Sequence, residues 1–298
     1  MSVLDVKKLT KKFGAFTALH DVNLKIEAGE VLGFIGPNGA GKTTTIRTLL
    51  GIYQATAGAV TIFGQDAWQD AVAIHKRLAY VPGDVTLWPN LTGGEVIDLL
   101  THLRGGSDKT RRDALISRFK LDPTKKCRTY SKGNRQKIAL IAAFTTDADL
   151  YLFDEPTSGL DPLMEQVFHD CVLEVKAAGK SVLLSSHILS EVEKLCDRVA
   201  IIREGKIIEN GTLAELRHLT RMHLKVKTKT PLSLDGLTGI HEVEIQDDHT
   251  TFQVDRDDLG LILSHLATFD IIDLQSSPPS LETLFMAHYQ GGDASCCN

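Results

Sequence analysis

The sequence lacks any long apolar run. Its longest uninterrupted apolar stretch is Ile138–Phe144, far shorter than the roughly 20 residues that a membrane-spanning helix needs. The first residues also lack the apolar segment of a secretory signal peptide. The sequence therefore predicts a cytoplasmic protein, and we expect any attachment to a membrane to come from a partner.

Cysteine is scarce, and basic charge is not in excess. Three of the five cysteines, Cys127, Cys171 and Cys196, lie in unrelated segments without metal-ligand spacing, so we expect reduced thiols. Cys296 and Cys297 are adjacent behind two glycines, where a free thiol pair is a better interpretation than a metal site. The formal net charge of −5 predicts no nucleic-acid partner, because such partners select basic surfaces.

What the sequence does contain is typical of a soluble globular protein. Its hydrophobic fraction is 43% and its charged fraction is 24%. Its 298 residues are too many for a single small hydrophobic core. We predict a main domain over residues 1–220, with a helical subdomain at about residues 85–148, and a small accessory α+β domain over residues 221–298. No internal repeat is apparent.

The order of the apolar patterns predicts an α/β core. Residues 1–30 alternate apolar and polar side chains, as half-buried antiparallel strands do. Continuous apolar runs at Val31–Ile35, Leu150–Phe153 and Val182–Leu184 are each followed by helical periodicity. This alternation predicts a parallel sheet with helices on its faces, so the whole sheet system is mixed.

Local signals fix some helix starts and turns. Thr92-Gly93-Gly94-Glu95 predicts a capping box, so we expect residues 92–120 to be mostly helical. Glu204-Gly205 separates two apolar runs and predicts a hairpin before the domain boundary. The second domain has strand-like segments at His223–Lys229, His241–Gln246, Thr251–Val254 and Ile271–Leu274, and helix-like segments at 257–268 and from Leu281.

A glycine-rich segment lies between the strand Val31–Ile35 and the helix that follows it. It consists of Gly36, Pro37, Asn38, Gly39, Ala40, Gly41, Lys42, Thr43 and Thr44 and fits the phosphate-binding pattern G-x-x-x-x-G-K-[ST] in the strand-loop-helix context that this pattern requires. Its backbone N–H groups would surround phosphate oxygens, Lys42 would supply positive charge, and the Thr43 hydroxyl would bind Mg²⁺. The alternative is a glycine-rich turn with a solvated lysine.

Acidic side chains and a histidine end two predicted strands. Asp154 and Glu155 follow Leu150–Phe153, at the sheet edge where ligands bind in open α/β folds. Asp154 is placed to hold Mg²⁺, and Glu155 to activate a water for attack on the γ-phosphate. Helix capping is the alternative for the acids. His187 could hold the same water or bind the γ-phosphate, and a purely structural histidine is the alternative.

Taken together, residues 1–215 resemble the ATPase subunit of ABC transporters. Tyr130-Ser131-Lys132-Gly133-Asn134 resembles the signature motif of that family, and the segment from Asp154 to Asp161 matches its Walker B and D-loop. The resemblance implies a P-loop ABC cassette with an antiparallel N-terminal subdomain and a helical signature subdomain. It also implies Mg-ATP as the cofactor, and either a head-to-tail homodimer or pairing with a second ATPase subunit. A separate integral membrane permease would hold the chain on the inner face of the membrane.

The resemblance assigns roles residue by residue. It makes Glu155 the general base, His187 the switch histidine and Lys42 the phosphate-binding lysine. Phe13 falls where an aromatic residue stacks on adenine. Ser131 and Gly133 match the half-site that faces the ATP of the other protomer, and Asp161 ends the D-loop and joins the ATP-binding set.

The sequence departs from the family pattern in two places. Gly83 stands where the Q-loop glutamine is expected, and Asp84 or a water could replace that glutamine. Lys132 and Asn134 replace the signature's glycine and glutamine, which resembles the branch that exports drugs, antibiotics, lipids or polysaccharides. Pro279–Phe285 resembles the motif that ends the accessory domain of that branch, although an amphipathic closing helix explains it equally well.

Two rival interpretations remain open. A soluble ABC-type ATPase acting on ribosomes or DNA would carry the same ATP chemistry without a permease, although such proteins usually hold two cassettes or large insertions. The second domain could regulate the ATPase by sensing a ligand, or it could be a dimerisation element.

Overall fold

The computed structural model describes residues 2–277 except 105, 107, 219, 220, 231, 235, 236, 247 and 248. Contacts divide the chain into two compact units, the first ending at Gly211 and the second beginning at Thr212. This boundary lies earlier than the predicted one at 220/221. A capping box lies at this boundary, in which the Thr212 N–H donates to the Glu215 carboxylate (2.7 Å) and the Glu215 N–H donates to the Thr212 hydroxyl (3.1 Å). A new helix therefore begins immediately after the boundary.

The first part of the chain contains ten strands, seven α-helices and a 3₁₀ helix at Cys127–Thr129 within the described residues. The strands are β1 (Ser2–Phe13), β2 (Phe16–Glu27), β3 (Val31–Ile35), β4 (Ala57–Ile62), β5 (Gln65–Asp66), β6 (Leu78–Val81), β7 (Leu150–Asp154), β8 (Ser181–Ser186), β9 (Arg198–Arg203) and β10 (Lys206–Thr212). The helices are α1 (Lys42–Leu49), α2 (Ala71–His75), α3 (Gly93–His102), α4 (Lys109–Arg118), α5 (Lys132–Thr145), α6 (Pro162–Ala177) and α7 (Leu189–Leu195).

A six-stranded sheet in the order β10-β9-β3-β8-β7-β6 forms the centre of the first unit. Strands β9, β3, β8, β7 and β6 are parallel, and β3 is buried at all five positions, because other elements cover both faces of such a sheet. The predicted hairpin joins β9 to β10 through Glu204 (φ 49°) and Gly205 (φ 73°), the backbone that two-residue hairpin turns need. The predicted parallel core is confirmed.

A second sheet, in the order β2-β1-β4-β5, is antiparallel. Its buried side chains, including Leu4, Val6 and Leu24, share one apolar core with Phe34 of β3 and Ile46 of α1. The predicted mixed fold with an antiparallel N-terminal part is therefore confirmed. This shared core fixes the loop between β3 and α1, since both flanking elements are anchored in it.

Helices α3, α4 and α5 follow β6. The predicted capping box is present, with the Thr92 N–H donating to Glu95 (2.6 Å) and the Glu95 N–H donating to Thr92 (3.2 Å). Phe144 of α5 contacts the rings of Phe153 and Phe168 at centroid distances of 5.4 and 6.0 Å. Aromatic packing therefore fixes α5 against the strand that ends in Asp154.

The second unit is a small α+β domain. It contains α8 (Leu213–His218), α9 (Leu259–Leu266) and the strands β11 (Met222–Thr228), β12 (Ile240–Gln246), β13 (His249–Val254) and β14 (Ile271–Ser277). The strands form an antiparallel sheet in the order β12-β13-β11-β14, whose core includes Phe252 and Ile262. The helix predicted from Leu281, the motif Pro279–Phe285 and the pair Cys296 and Cys297 lie outside the described residues.

The remaining predictions about the whole chain concern membranes and thiols. None of the helices described between residues 2 and 277 combines the length and apolar character of a membrane-spanning segment. Cys127, Cys171 and Cys196 are free and buried. Burial raises the pKa of the Cys171 thiol to about 12.

Candidate nucleotide-binding site

The glycine-rich segment forms the loop between β3 and α1, and Gly41 is the N-cap residue of α1. Lys42 is the first residue of this helix and is only 5% exposed. Its ammonium group donates to the carbonyl oxygens of Gly36 (2.7 Å) and Pro37 (3.2 Å). The positive charge of Lys42 is thus held inside the loop, beside the N–H groups of a helix N-terminus, and this combination suits phosphate oxygens.

Asp154 ends β7 next to the start of α1. Its carboxylate accepts hydrogen bonds from the hydroxyls of Thr43 (3.0 Å) and Ser185 (2.7 Å), and the residue is 4% exposed. Ser185 is the cross-strand neighbour of Asp154 on β8. Sequence reasoning missed Ser185, although its place near the end of a buried strand before His187 was a usable signal.

The oxygens of Thr43 and Asp154 fit Mg²⁺, a hard cation that prefers oxygen ligands. Across the described part of the chain, no group of three or more His, Cys, Asp or Glu side chains could hold a metal ion by itself. Mg²⁺ characteristically uses one or two protein oxygens and takes its other ligands from water and substrate phosphates. The donor set at Asp154 therefore suits a metal that arrives with a nucleotide.

Tyr80 of β6 lies close enough to Asp154 to be affected by its charge. Burial, and secondarily the Asp154 carboxylate, raise the pKa of the Tyr80 phenol to about 12. Both effects disfavour the phenolate. Tyr80 therefore stays a neutral phenol well above physiological pH.

Glu155 follows Asp154 with a left-handed backbone (φ 50°). Its N–H donates to the Ser185 carbonyl oxygen (3.0 Å) and to the Ser185 hydroxyl (3.2 Å). One carboxylate oxygen lies 3.3 Å from the Lys42 ammonium, and the other lies 3.4 Å from Nδ1 of His187. The three residues predicted to be catalytic are thus brought together around one carboxylate.

Phe13 is at the end of β1, and 43% of the residue is exposed. The Tyr53 ring packs edge to face on the Phe13 ring, with 5.3 Å between the two ring centroids. The Lys11 ammonium lies 4.9 Å from the centroid of the Phe13 ring. An exposed ring held in this way can stack on a planar base. Tyr53 and Lys11 were missed in the sequence because no local pattern links them to Phe13.

The signature segment begins α5. Ser131 is the N-cap, and its hydroxyl accepts a hydrogen bond from the Asn134 N–H (3.3 Å). The Lys132 ammonium donates to the Ser158 hydroxyl (2.7 Å). A Cβ atom at Gly133 would collide with the carbonyl oxygen of Gly159. The signature segment is therefore fixed to the loop that follows Glu155 in the same chain.

Asp161 ends that loop as the N-cap of α6, where its carboxylate accepts a hydrogen bond from the Met164 N–H (3.0 Å). The bond gives Asp161 a structural role, while its predicted contact with ATP stays a prediction. The predicted replacement of the Q-loop glutamine by Asp84, whose side chain is exposed, also stays a prediction. Within the described residues, no hydrogen bond joins Asp84 to the site.

The comparisons with known proteins agree with this geometry. The family model described as "ABC transporter" matches residues 19–158. The chain is 35% identical over 222 residues to the ABC-type transporter ATP-binding protein EcsA of Bacillus subtilis, covering 73% of this chain and 90% of that protein. It is 30% identical over 309 aligned residues to the bacitracin transport ATP-binding protein BcrA of Bacillus licheniformis, covering 98% of each.

A solved structure, described as the ATP-binding subunit of an ABC transporter, matches with a TM-score of 0.70 and 34% sequence identity. The match covers 73% of this chain and 92% of that one. Fold, site geometry and relatives lead to the same result. The chain belongs to the ABC transporter family, as an ATP-binding subunit of the ATPase cassette class.

Proposed function

We propose that the chain binds and hydrolyses Mg-ATP in the first unit, in a head-to-tail dimer, and thereby powers export through a separate membrane permease. The observation that carries the proposal is the position of Glu155, whose carboxylate lies between the Lys42 ammonium and the His187 ring. A strand-end carboxylate in contact with a phosphate-binding lysine is suited to activate a water beside the γ-phosphate.

Each residue of the site has a distinct task. The loop N–H groups and Lys42 bind the phosphates, and Thr43 and Asp154 would hold Mg²⁺, which neutralises phosphate charge when it is bound. Glu155 accepts a proton from the attacking water. His187 orients that water or the γ-phosphate through its ring nitrogens.

The signature segment supports the dimer. Ser131 and Lys132 are exposed, and they begin the 14-residue helix α5, so its N–H groups and hydroxyl are available to an anion from outside the chain. A head-to-tail partner would place its γ-phosphate there. ATP would then join the two chains, and hydrolysis would separate them.

A groove in the first unit supports the proposal of a permease partner. It has a volume of about 430 Å³, and Leu50, Tyr80 and Arg104 are among its lining residues. Three apolar residues that also line it are strongly exposed: Ile52 (56%), Val72 (80%) and Leu103 (73%). Exposed apolar residues gathered in one groove are typical of a protein contact surface.

The charge of the groove specifies the partner further. The Arg104 guanidinium has no hydrogen-bond or ion-pair partner within the described residues, and burial holds its pKa below its usual range. Lys76 lines the same groove. The groove therefore suits a cytoplasmic segment of the permease that carries apolar side chains and a carboxylate.

One feature supports transport, and a second supports export as its direction. The relative BcrA, named for bacitracin transport, aligns with 98% of this chain. Lys132 and Asn134 in the signature follow the pattern of the export branch. Attachment to the permease would place the chain on the inner face of the cell membrane.

The catalytic part is tested with Glu155→Gln. Because the amide keeps the shape and removes the base, kcat should fall about 10²- to 10⁴-fold, while the Kd for Mg-ATP changes less than about threefold. ATPase assays and nucleotide binding on the same preparations check this. Unchanged turnover would contradict the assignment of Glu155.

The transport part is tested by affinity purification of tagged Glu155→Gln protein from detergent-solubilised native membranes, with and without Mg-ATP. We expect a polytopic membrane protein to co-purify, and Val72→Asp in the groove to abolish this. Leu173→Asp is the matched control, because Leu173 is 45% exposed on α6 and does not line the groove. Ribosomal or DNA-bound partners without a membrane protein would favour the soluble ATPase instead.

The second unit is proposed as an accessory domain. Truncation after residue 211 separates its two candidate roles. Loss of the nucleotide-free dimer, with ATPase activity and the ATP-dependent dimer retained, would identify a dimerisation element. A dimer with altered ATPase activity would identify a regulatory module.

A further inference from the structure

A buried polar cluster lies directly behind His187. The Ser186 hydroxyl donates to a carboxylate oxygen of Glu191 (2.7 Å) and accepts a hydrogen bond from the Ile188 N–H (2.9 Å). Ser186 is 2% exposed and Glu191 is 4% exposed. The second carboxylate oxygen of Glu191 has no hydrogen bond within the described structure and lies 3.6 Å from Nε2 of His169.

This cluster is bonded to the chain on both sides of His187. Ser186 and Ile188 are its two chain neighbours, and a single hydroxyl closes a turn between them. Such a side-chain turn fixes the backbone dihedrals of the residue that it spans. The direction of the His187 ring, and so the 3.4 Å distance from its Nδ1 to Glu155, depends on that turn.

Strand alternation explains how β8 supports two residues of the site. Successive side chains of a strand point to opposite faces. The Ser185 hydroxyl bonds to Asp154 and accepts from the Glu155 N–H. The next hydroxyl, of Ser186, bonds to Glu191 of α7 on the other side. One serine therefore supports the acids, and the other supports the histidine.

Glu191 has no explanation in core packing. The other buried residues of α7 are Leu189, Val192 and Leu195, so Glu191 is a carboxylate on an otherwise apolar helix face. Burying a carboxylate carries a desolvation penalty that an apolar residue avoids. Two contacts call for a carboxylate here: the hydrogen bond from Ser186 (2.7 Å) and the approach of the second oxygen to Nε2 of His169 (3.6 Å), and the first is the shorter.

We propose that Ser186 and Glu191 are positioning residues that hold His187 in its working orientation. They act through the turn at residues 186–188 and not by touching nucleotide. The inference rests on the role proposed above for His187, and it adds two residues from a second layer behind the site.

A double-mutant cycle tests this proposal. Ser186→Ala should lower kcat roughly tenfold, since a displacement of up to about 1 Å can cost as much as 10²-fold in rate, while the KM for Mg-ATP stays within about twofold. Ser186→Thr keeps the hydroxyl and should restore most of the activity. The matched control is Ser181→Ala at the other end of β8. Ser181 is 1% exposed and its hydroxyl also bonds to backbone, so this variant should lower stability but not kcat.

The cycle is completed in the His187→Ala background, where Ser186→Ala should cause no further loss of kcat. If it lowers kcat equally in both backgrounds, the positioning proposal is wrong. If His187→Ala alone leaves kcat unchanged, the proposed role of His187 fails instead. Glu191→Ala repeats the cycle from α7 with the same expectation, so the test does not depend on the folding of one variant.

Discussion

Gly83 provides the sharpest test of the geometry at the end of β7. A Cβ atom at this position would lie 2.9 Å from the carbonyl oxygen of Asp154, whereas ordinary van der Waals contacts begin at 3.4 Å. The obstacle is backbone and cannot rotate away. Gly83→Ala should therefore push the Asp154 carbonyl, and with it the strand end that carries both acids, by about 0.5 Å.

The size of the effect follows from that displacement. Overpacking of this kind costs about 1–3 kcal/mol, which corresponds to a fall in Tm of roughly 2–12 °C for a unit of this size. Turnover should fall roughly tenfold because both acids move. Gly83→Gln, which installs the family residue, carries the same Cβ atom and should also lower activity.

Thermal unfolding and steady-state ATPase assays on the same preparations measure both quantities. Gly260→Ala is the control, because a Cβ atom at Gly260 in α9 would meet open space. That change should be neutral or stabilise the protein by up to about 1 kcal/mol. A Gly83→Ala protein with unchanged Tm and unchanged kcat would refute the close approach of Gly83 to Asp154.

Two further predictions concern titration and thiol chemistry. The pKa of Tyr80 is raised from 10.0 to about 12 in the folded protein, so its contribution to stability is complete below pH 10 and is lost as the pH rises towards 12. Between pH 10 and 12, Tyr80→Phe should therefore lose up to ~2 kcal/mol less of its free energy of unfolding than the original protein does, as measured by urea unfolding. An unchanged dependence of that free energy on pH would contradict this. Burial raises the pKa of Cys127, Cys171 and Cys196. In a Cys296→Ser, Cys297→Ser protein at pH 8 these thiols should react with a thiol reagent only after unfolding, and rapid labelling of the native protein would be the contrary result.

Much of the fold could be predicted because local chemistry determines it. The apolar run Val31–Ile35 coincides with β3, and the capping box at Thr92 starts α3 as expected. The domain boundary predicted at 220/221 stays a prediction, and the division of contacts after Gly211 coincides with the same capping signal at Thr212 and Glu215. The five-residue helix α2 was not predicted, since so short a segment has no measurable periodicity.

The candidate site was predictable where one short motif contains the chemistry. Lys42, Asp154 and Glu155 were predicted in this way, and the structure places the Lys42 ammonium 3.3 Å from the Glu155 carboxylate. Ser185 and Glu191 were missed, because their importance comes from neighbours on other elements. The need for glycine at position 83 could not be predicted for the same reason. The carbonyl oxygen that a Cβ atom would meet belongs to Asp154, 71 residues away along the chain.

The signature segment is joined to the loop that follows Glu155 by the contact between Gly133 and Gly159 and by the bond from Lys132 to Ser158. In a head-to-tail dimer, the signature segment of one chain serves one ATP, whereas Glu155 of that chain serves the other ATP. In the proposed dimer, this contact and this bond would carry movement at one nucleotide to the other. ATP turnover should then be sigmoidal in ATP concentration, with a Hill coefficient above one. The two sites would hydrolyse ATP in a correlated order.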